Sequence, residues 1–251
     1  ERKESFMNAL QQWMEKHLVP VAAKIGSQKH LVALRDSFVG MLPATMVGAM
    51  ATLVSVMIGT VPAAVQQLIQ RSASDGSWTL SDKPVFQQLA GISSLVSQGT
   101  LTIIGLIFAF SWGYNLSKAY KVNELAGGIV GVAALVSGLP NIIAIATNGL
   151  SEKAMATVND NIAAQGIATW KMGLSVGQLD AGAYFTVIIM GALAVILYAK
   201  LMLADITIKM PDSVPPAVSK AFLAIIPTIV AVYVVSIIYY FIKVWTGSDL
   251  I

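Results

Sequence analysis

The chain contains no cysteine, which excludes disulfides, thiolate zinc sites and cysteine-based catalysis. Its two histidines, His17 and His30, both precede the first long apolar run. Charge is scarce. Asp, Glu, Lys and Arg make up 12% of the 251 residues, about half the share of an ordinary soluble domain. The net charge of +3 is small and scattered, so the basic stripe expected of a nucleic-acid binder is missing. Gly-rich phosphate loops, HExxH and GxSxG are absent as well, and neither a cofactor nor a metal site is expected. No charged segment followed by a short apolar core and a small-residue cleavage site opens the chain, so no signal peptide is read. Because position 1 is Glu, the chain is expected to be a fragment or a processed product.

Hydrophobic sequence is what the chain has in abundance. It is 56% hydrophobic with a mean hydropathy of +0.71, which marks an integral membrane protein, because a soluble domain needs a charged surface. Five uncharged runs cover residues 37–70, 84–117, 125–151, 181–199 and 221–242. A spanning helix needs about 20 apolar residues, and each run is read as holding one helix and not two. The expected spans lie near residues 38–58, 95–116, 125–145, 181–202 and 217–242. Before them, residues 4–25 place Phe6, Leu10, Trp13, Met14, His17, Leu18, Val21 and Ile25 on one helical face. That pattern suits an interfacial amphipathic helix, kinked at Pro20. The fold expected is all-α: an amphipathic region over residues 1–30 and a five-helix membrane domain over 31–251. Eleven Lys and Arg residues fall in the N-terminal tail and the second and fourth connections, against five on the other side. The excess marks the cytoplasmic face, which puts the N-terminus inside and the C-terminus outside.

No ionisable residue interrupts the five runs, so an intramembrane proton relay, ion site or voltage sensor is not expected. The polar groups that remain are Trp112, Tyr114, Asn115 and Ser117, and later Pro140, Asn141, Thr147 and Asn148. Asn and aromatic side chains suit sugar recognition, through hydroxyl hydrogen bonds and ring stacking. Trp112, Asn115 and Asn141 are therefore the candidate substrate contacts. The structural alternative is an interfacial aromatic belt, with Asn115 capping a helix C-terminus. Glu124 and Asp180 read as charges complementing helix N-termini. Gly127 and Gly131 form a GxxxG within a glycine-rich helix, which serves either internal packing or a dimer seam.

One stretch stands apart. Ile208-Lys209-Met210-Pro211-Asp212-Ser213-Val214-Pro215-Pro216-Ala217-Val218-Ser219 packs three prolines between two apolar runs. Pro215 and Pro216 are tolerated only in a first helical turn, where their missing N–H groups have no partner to lose. Asp212 or Ser213 is the expected N-cap. With Ala221-Phe222 and Ile226-Pro227, the stretch closely resembles the most recognisable motif of the EIIC sugar permeases of the bacterial phosphotransferase system, in the lactose/cellobiose/diacetylchitobiose family. Leu18-Val19-Pro20 through His30, and Arg35-Asp36-Ser37-Phe38 through Pro43 with Gly48-Ala49-Met50, are similar too.

The resemblance implies that this chain is the amino-terminal half of such a permease, the part that forms the scaffold and the homodimer interface. It implies a disaccharide occluded against a mobile second half, then phosphorylated by a partner EIIB charged by EIIA. That second half carries the family's sugar-contacting histidine and glutamate, and neither residue can be carried over here. The alternatives are a self-standing membrane scaffold or channel subunit, or a fragment of a secondary transporter.

Overall fold

The computed structural model describes residue 16 and residues 26–60, 84–140, 142–146, 162–163, 167–171, 178–208, 211 and 215–247. The amphipathic region over residues 1–30 lies almost wholly outside the described residues, as do Pro20, Asp212 and Ser213.

Helix α1 (Lys29–Gly40) and helix α2 (Leu42–Ser55), which continues in a π-turn over Val56–Thr60, are separated only by Met41. The break follows from Pro43, which cannot donate back into α1 and so sits in the first turn of a new helix. Helix α3 (Pro84–Gln98) and helix α4 (Ile104–Ala119) follow, then helix α5 (Glu124–Ser137). A composite helix α6 covers Ala181–Leu203 and includes a π-turn at Val187–Gly191. Helix α7 (Pro216–Leu223) and helix α8 (Ile225–Thr246) close the described part. Pro215 and Pro216 stand at the start of α7, where prolines are tolerated. Pro227 deprives the Leu223 carbonyl of its helical donor, and the α7–α8 bend falls in that turn, at Ala224.

Among the described residues, three helical stretches are long and apolar enough to cross a membrane: Lys29–Ile58, Ala181–Leu203 and Val218–Thr246. They fall on the first, fourth and fifth expected spans. The other two expectations need correction. The run over residues 84–117 holds two helices, interrupted after Gln98. Thr100 Oγ1 donates to the Val96 carbonyl at 2.7 Å, and the Thr102 amide and hydroxyl both turn back to the Ser97 carbonyl. These local bonds compete with helix continuation.

The expected span over 125–145 is helical only to Ser137, a length of about 21 Å at 1.5 Å per residue. Pro140 biases Leu139 away from helical backbone, and the β-branched residues beyond it form strand β1 (Ile142–Ala146). With β2 (Ile162–Ala163) and β3 (Ile167–Lys171), β1 makes a small antiparallel sheet in the order β1-β3-β2, with Ile143 opposite Trp170. The helical architecture is thus accompanied by a short sheet whose first strand overlaps the end of the expected third span.

The core lies where α1, α4, α5, α6 and α8 meet. Phe108, Leu116, Val130, Leu135, Val195 and Tyr198 are fully enclosed there. Helices α2 and α3 pack on one another and expose Met46, Met50, Ile92 and Leu95. Soluble monomers rarely expose apolar surface on this scale, whereas a lipid-facing helix does so without penalty.

Candidate functional site

The centre of the bundle is built on absent side chains. A Cβ placed on Gly113 would strike the Gly127 carbonyl, one on Gly131 the Ala109 carbonyl, and one on Gly127 the Ser117 side chain. Helices α4 and α5 therefore meet backbone to backbone, the close approach that glycine permits where packing alone drives association. The GxxxG read from sequence is an internal seam, and its Gly127 and Gly131 and the facing Gly113 are all buried.

Helix α1 is fastened to α4 by a reciprocal pair. Ser111 Oγ donates to the Ser37 carbonyl at 3.0 Å, and the Ser37 hydroxyl is shared between the Ala33 carbonyl of its own helix at 2.6 Å and the Ser111 carbonyl at 3.1 Å. Phe38 stacks on Phe108 with ring centroids 4.7 Å apart, and Tyr184 of α6 packs against both rings.

The sequence-derived candidates belong to this packing. Trp112 is buried with its indole against Gly191 of α6, and its Nε1 has no hydrogen-bond partner among the described residues. Asn115 Nδ2 donates to the Ser111 carbonyl at 2.9 Å, one turn back. It is not the cap of α4, which runs on to Ala119 with Tyr120 as its cap. Neither residue lines either of the two cavities described here, and Asn141 lies outside the described residues. Glu124 occupies the first turn of α5, where Asn123 caps the helix by accepting from the Ala126 amide. Asp180 caps α6 by accepting from the Gly182 amide at 2.8 Å. Both acids therefore sit where helix electrostatics favour them.

What sequence reading did not assemble is a polar cavity at one end of the bundle. There α4 and α6 finish and α5 and α7 begin. His30 Nε2 meets the Tyr120 hydroxyl at 2.9 Å, and the Lys29 ammonium lies 3.7 Å above the Tyr120 ring. Beside them opens a cavity of about 630 Å³ whose polar lining is Tyr114, Lys121, Asn123, Glu124 and Lys220. Lys121 reaches it from a left-handed backbone conformation, φ 58°, which is costly for a side chain with a Cβ. The count of lysines per connection had placed residues 118–124 and 200–220 on one face. It gave no sign that Lys121 and Lys220 share a cavity, because that depends on where the fold sets the start of α5 and helix α7.

Comparison with known proteins agrees with the motifs. The family model for the phosphotransferase system EIIC matches residues 35–250. The cellobiose-specific EIIC component of Lactococcus lactis is 59% identical over 98% of this chain and 52% of its own length. The lichenan permease IIC component of Bacillus subtilis is 26% identical over 91% of this chain and 44% of its own. Among solved structures, ChbC, the IIC component from the N,N'-diacetylchitobiose-specific phosphotransferase system, superposes with a TM-score of 0.69 at 26% identity. That match covers 92% of this chain and 47% of ChbC. The chain spans about half the length of the curated relatives it matches.

Proposed function

Because the chain belongs to the EIIC family of the phosphotransferase system, we propose that it is the amino-terminal scaffold and dimerisation half of a sugar permease. The permease takes up a β-linked disaccharide, of the cellobiose, diacetylchitobiose or lactose type, and EIIB phosphorylates it on the inner side. The observation that carries this reading is the 59% identity to a cellobiose-specific component, sustained over 98% of the chain. The glycine seam and the Ser37–Ser111 pair support a fixed role, since both lock helices together with no buried ionisable group between them.

In this reading residues 1–30 lie at the interface and 31–251 form the membrane scaffold, in a bacterial plasma membrane. The partners are a second copy, EIIB, and EIIA acting through EIIB. Five membrane crossings are made by α1–α2, α3–α4, α5, α6 and α7–α8. The lysine-bearing end, with Lys121 and Lys220, faces the cytoplasm. Cysteine introduced at the exposed Ala204 should then react with an impermeant maleimide only after the membrane is opened; labelling of intact cells would reverse the orientation.

The function is tested by supplying the full-length permease, with its EIIA and EIIB, with a panel of β-disaccharides and a phosphoryl donor. Cellobiose-type sugars should be taken up and recovered phosphorylated, and uptake should stop without EIIB. Accumulation of unmodified sugar, or uptake indifferent to EIIB, would reject the proposal.

A further inference from the structure

The polar cavity continues into an apolar one. It shares Asn123 and Leu125 with a groove of about 360 Å³ between α5 and the bend joining α7 to α8. The α7–α8 wall extends from Ala221 to Ile229, a rise of about 12 Å at 1.5 Å per residue. Small residues, Ala126, Ala221 and Ala224, leave the space. Ile129, Ile225 and Ile229 border it and are themselves exposed. A groove of this make-up offers an aqueous ligand nothing, but it fits a hydrocarbon chain.

At the polar end the lining carries Lys121 and Lys220 against a single carboxylate, Glu124, a net surplus of one positive charge. That end lies at the level where four helices start or stop, which for a spanning bundle is the level of lipid headgroups. We propose that the two cavities are one site for an anionic phospholipid, with the phosphate between Lys121 and Lys220 and one acyl chain in the groove. Charge complementarity selects the anionic headgroup, and continuity with the apolar groove selects a lipid over a soluble phosphate. The inference concerns the scaffold's own surface and does not depend on which sugar is carried.

The test is lipid binding to the full-length permease in detergent, followed by native mass spectrometry and by thermal stabilisation. Phosphatidylglycerol is compared with phosphatidylcholine of the same chain length, and with glycerol 3-phosphate as a soluble phosphate ester without tails. Phosphatidylglycerol should bind more tightly than either. Lys121→Gln and Lys220→Gln should each weaken it about fivefold, the effect of one interfacial lysine on an anionic lipid, and leave phosphatidylcholine unchanged. Lys121→Arg and Lys220→Arg keep the charge and should retain the preference, which separates charge from any damage to folding. Thr228→Trp fills the groove and should weaken both lipids alike.

Equal binding of the two lipids, insensitivity to the lysine substitutions, or binding of glycerol 3-phosphate as tight as the lipid would each overturn the proposal. So would an efficient intersubunit cross-link through Ile229→Cys, which would put a second copy in the groove.

Discussion

Replacing Gly127 with alanine should destabilise the protein by about 3 kcal/mol, the upper end of the cost of overpacking a well-filled core. In detergent this would appear as a loss of about 6–12 °C in melting temperature for a domain of this size. The added methyl group has no room. It would meet the Ser117 side chain, and Gly127's own carbonyl already lies where a Gly113 side chain would go. Relief requires α4 and α5 to separate, and separation breaks the contacts of Ala109 with Gly131 and of Phe110 with Gly128 along the same seam. Gly113→Ala should cost as much, because its obstacle is backbone and cannot rotate away. Gly91→Ala is the matched control. It lies on exposed helix α3 with nothing within 4 Å of the added carbon, so it should be neutral or gain up to about 1 kcal/mol from helix propensity. A melting temperature unchanged by Gly127→Ala would mean that the two helices do not meet through their backbones.

A disulfide joining Ser37→Cys and Ser111→Cys should have the opposite sign. Each hydroxyl already reaches the other residue's carbonyl across the α1–α4 contact, so the two residues touch directly. The Cβ of a residue at Gly40 would meet the Ser111 oxygen at 3.2 Å, which confirms how close the two helices run. Closing a loop between positions 74 residues apart stabilises by up to about 4 kcal/mol in the chain-entropy account. The chain supplies no competing thiol. Thermal unfolding with and without reductant measures the gain. A bridge that fails to form under mild oxidant would contradict the α1–α4 geometry.

These two contacts also show where the sequence was informative. The fourth span was read at residues 181–202 and the helix covers Ala181–Leu203, because an uninterrupted apolar run flanked by Asp180 and Lys200 leaves few other arrangements. Pro216 opens α7 as its chemistry allows, but the N-cap is Pro215, not the expected Asp212 or Ser213, and no side chain caps the helix. Hydropathy reports composition, though, and is blind to backbone continuity. The Thr100 and Thr102 bonds that end α3, and Pro140 beyond α5, interrupt runs whose apolar content gives no warning.

The GxxxG was visible in the sequence but its partner was not. Only the fold sets Gly113 against Gly127 and removes the dimer reading for that face. For the candidate site the balance was poorer. Trp112 and Asn115 were chosen for chemistry that suits a sugar, yet one packs on Gly191 and the other bonds within its own helix. Lys121 and Lys220, separated by nearly a hundred residues, entered only as markers of sidedness. Their shared cavity arises from the tertiary arrangement that brings the start of α5 and helix α7 to the same end of the bundle, which no local pattern encodes.

The central claim is that this chain is the fixed wall against which the rest of the permease moves. Uptake of a cellobiose-type sugar by the full-length Ser37→Cys, Ser111→Cys permease, oxidised and then reduced, tests it most directly. A scaffold that keeps α1 and α4 together throughout the cycle predicts the same uptake rate in both states. Uptake abolished by the bridge and restored by reductant would show that these helices must part during transport, and would contradict the account.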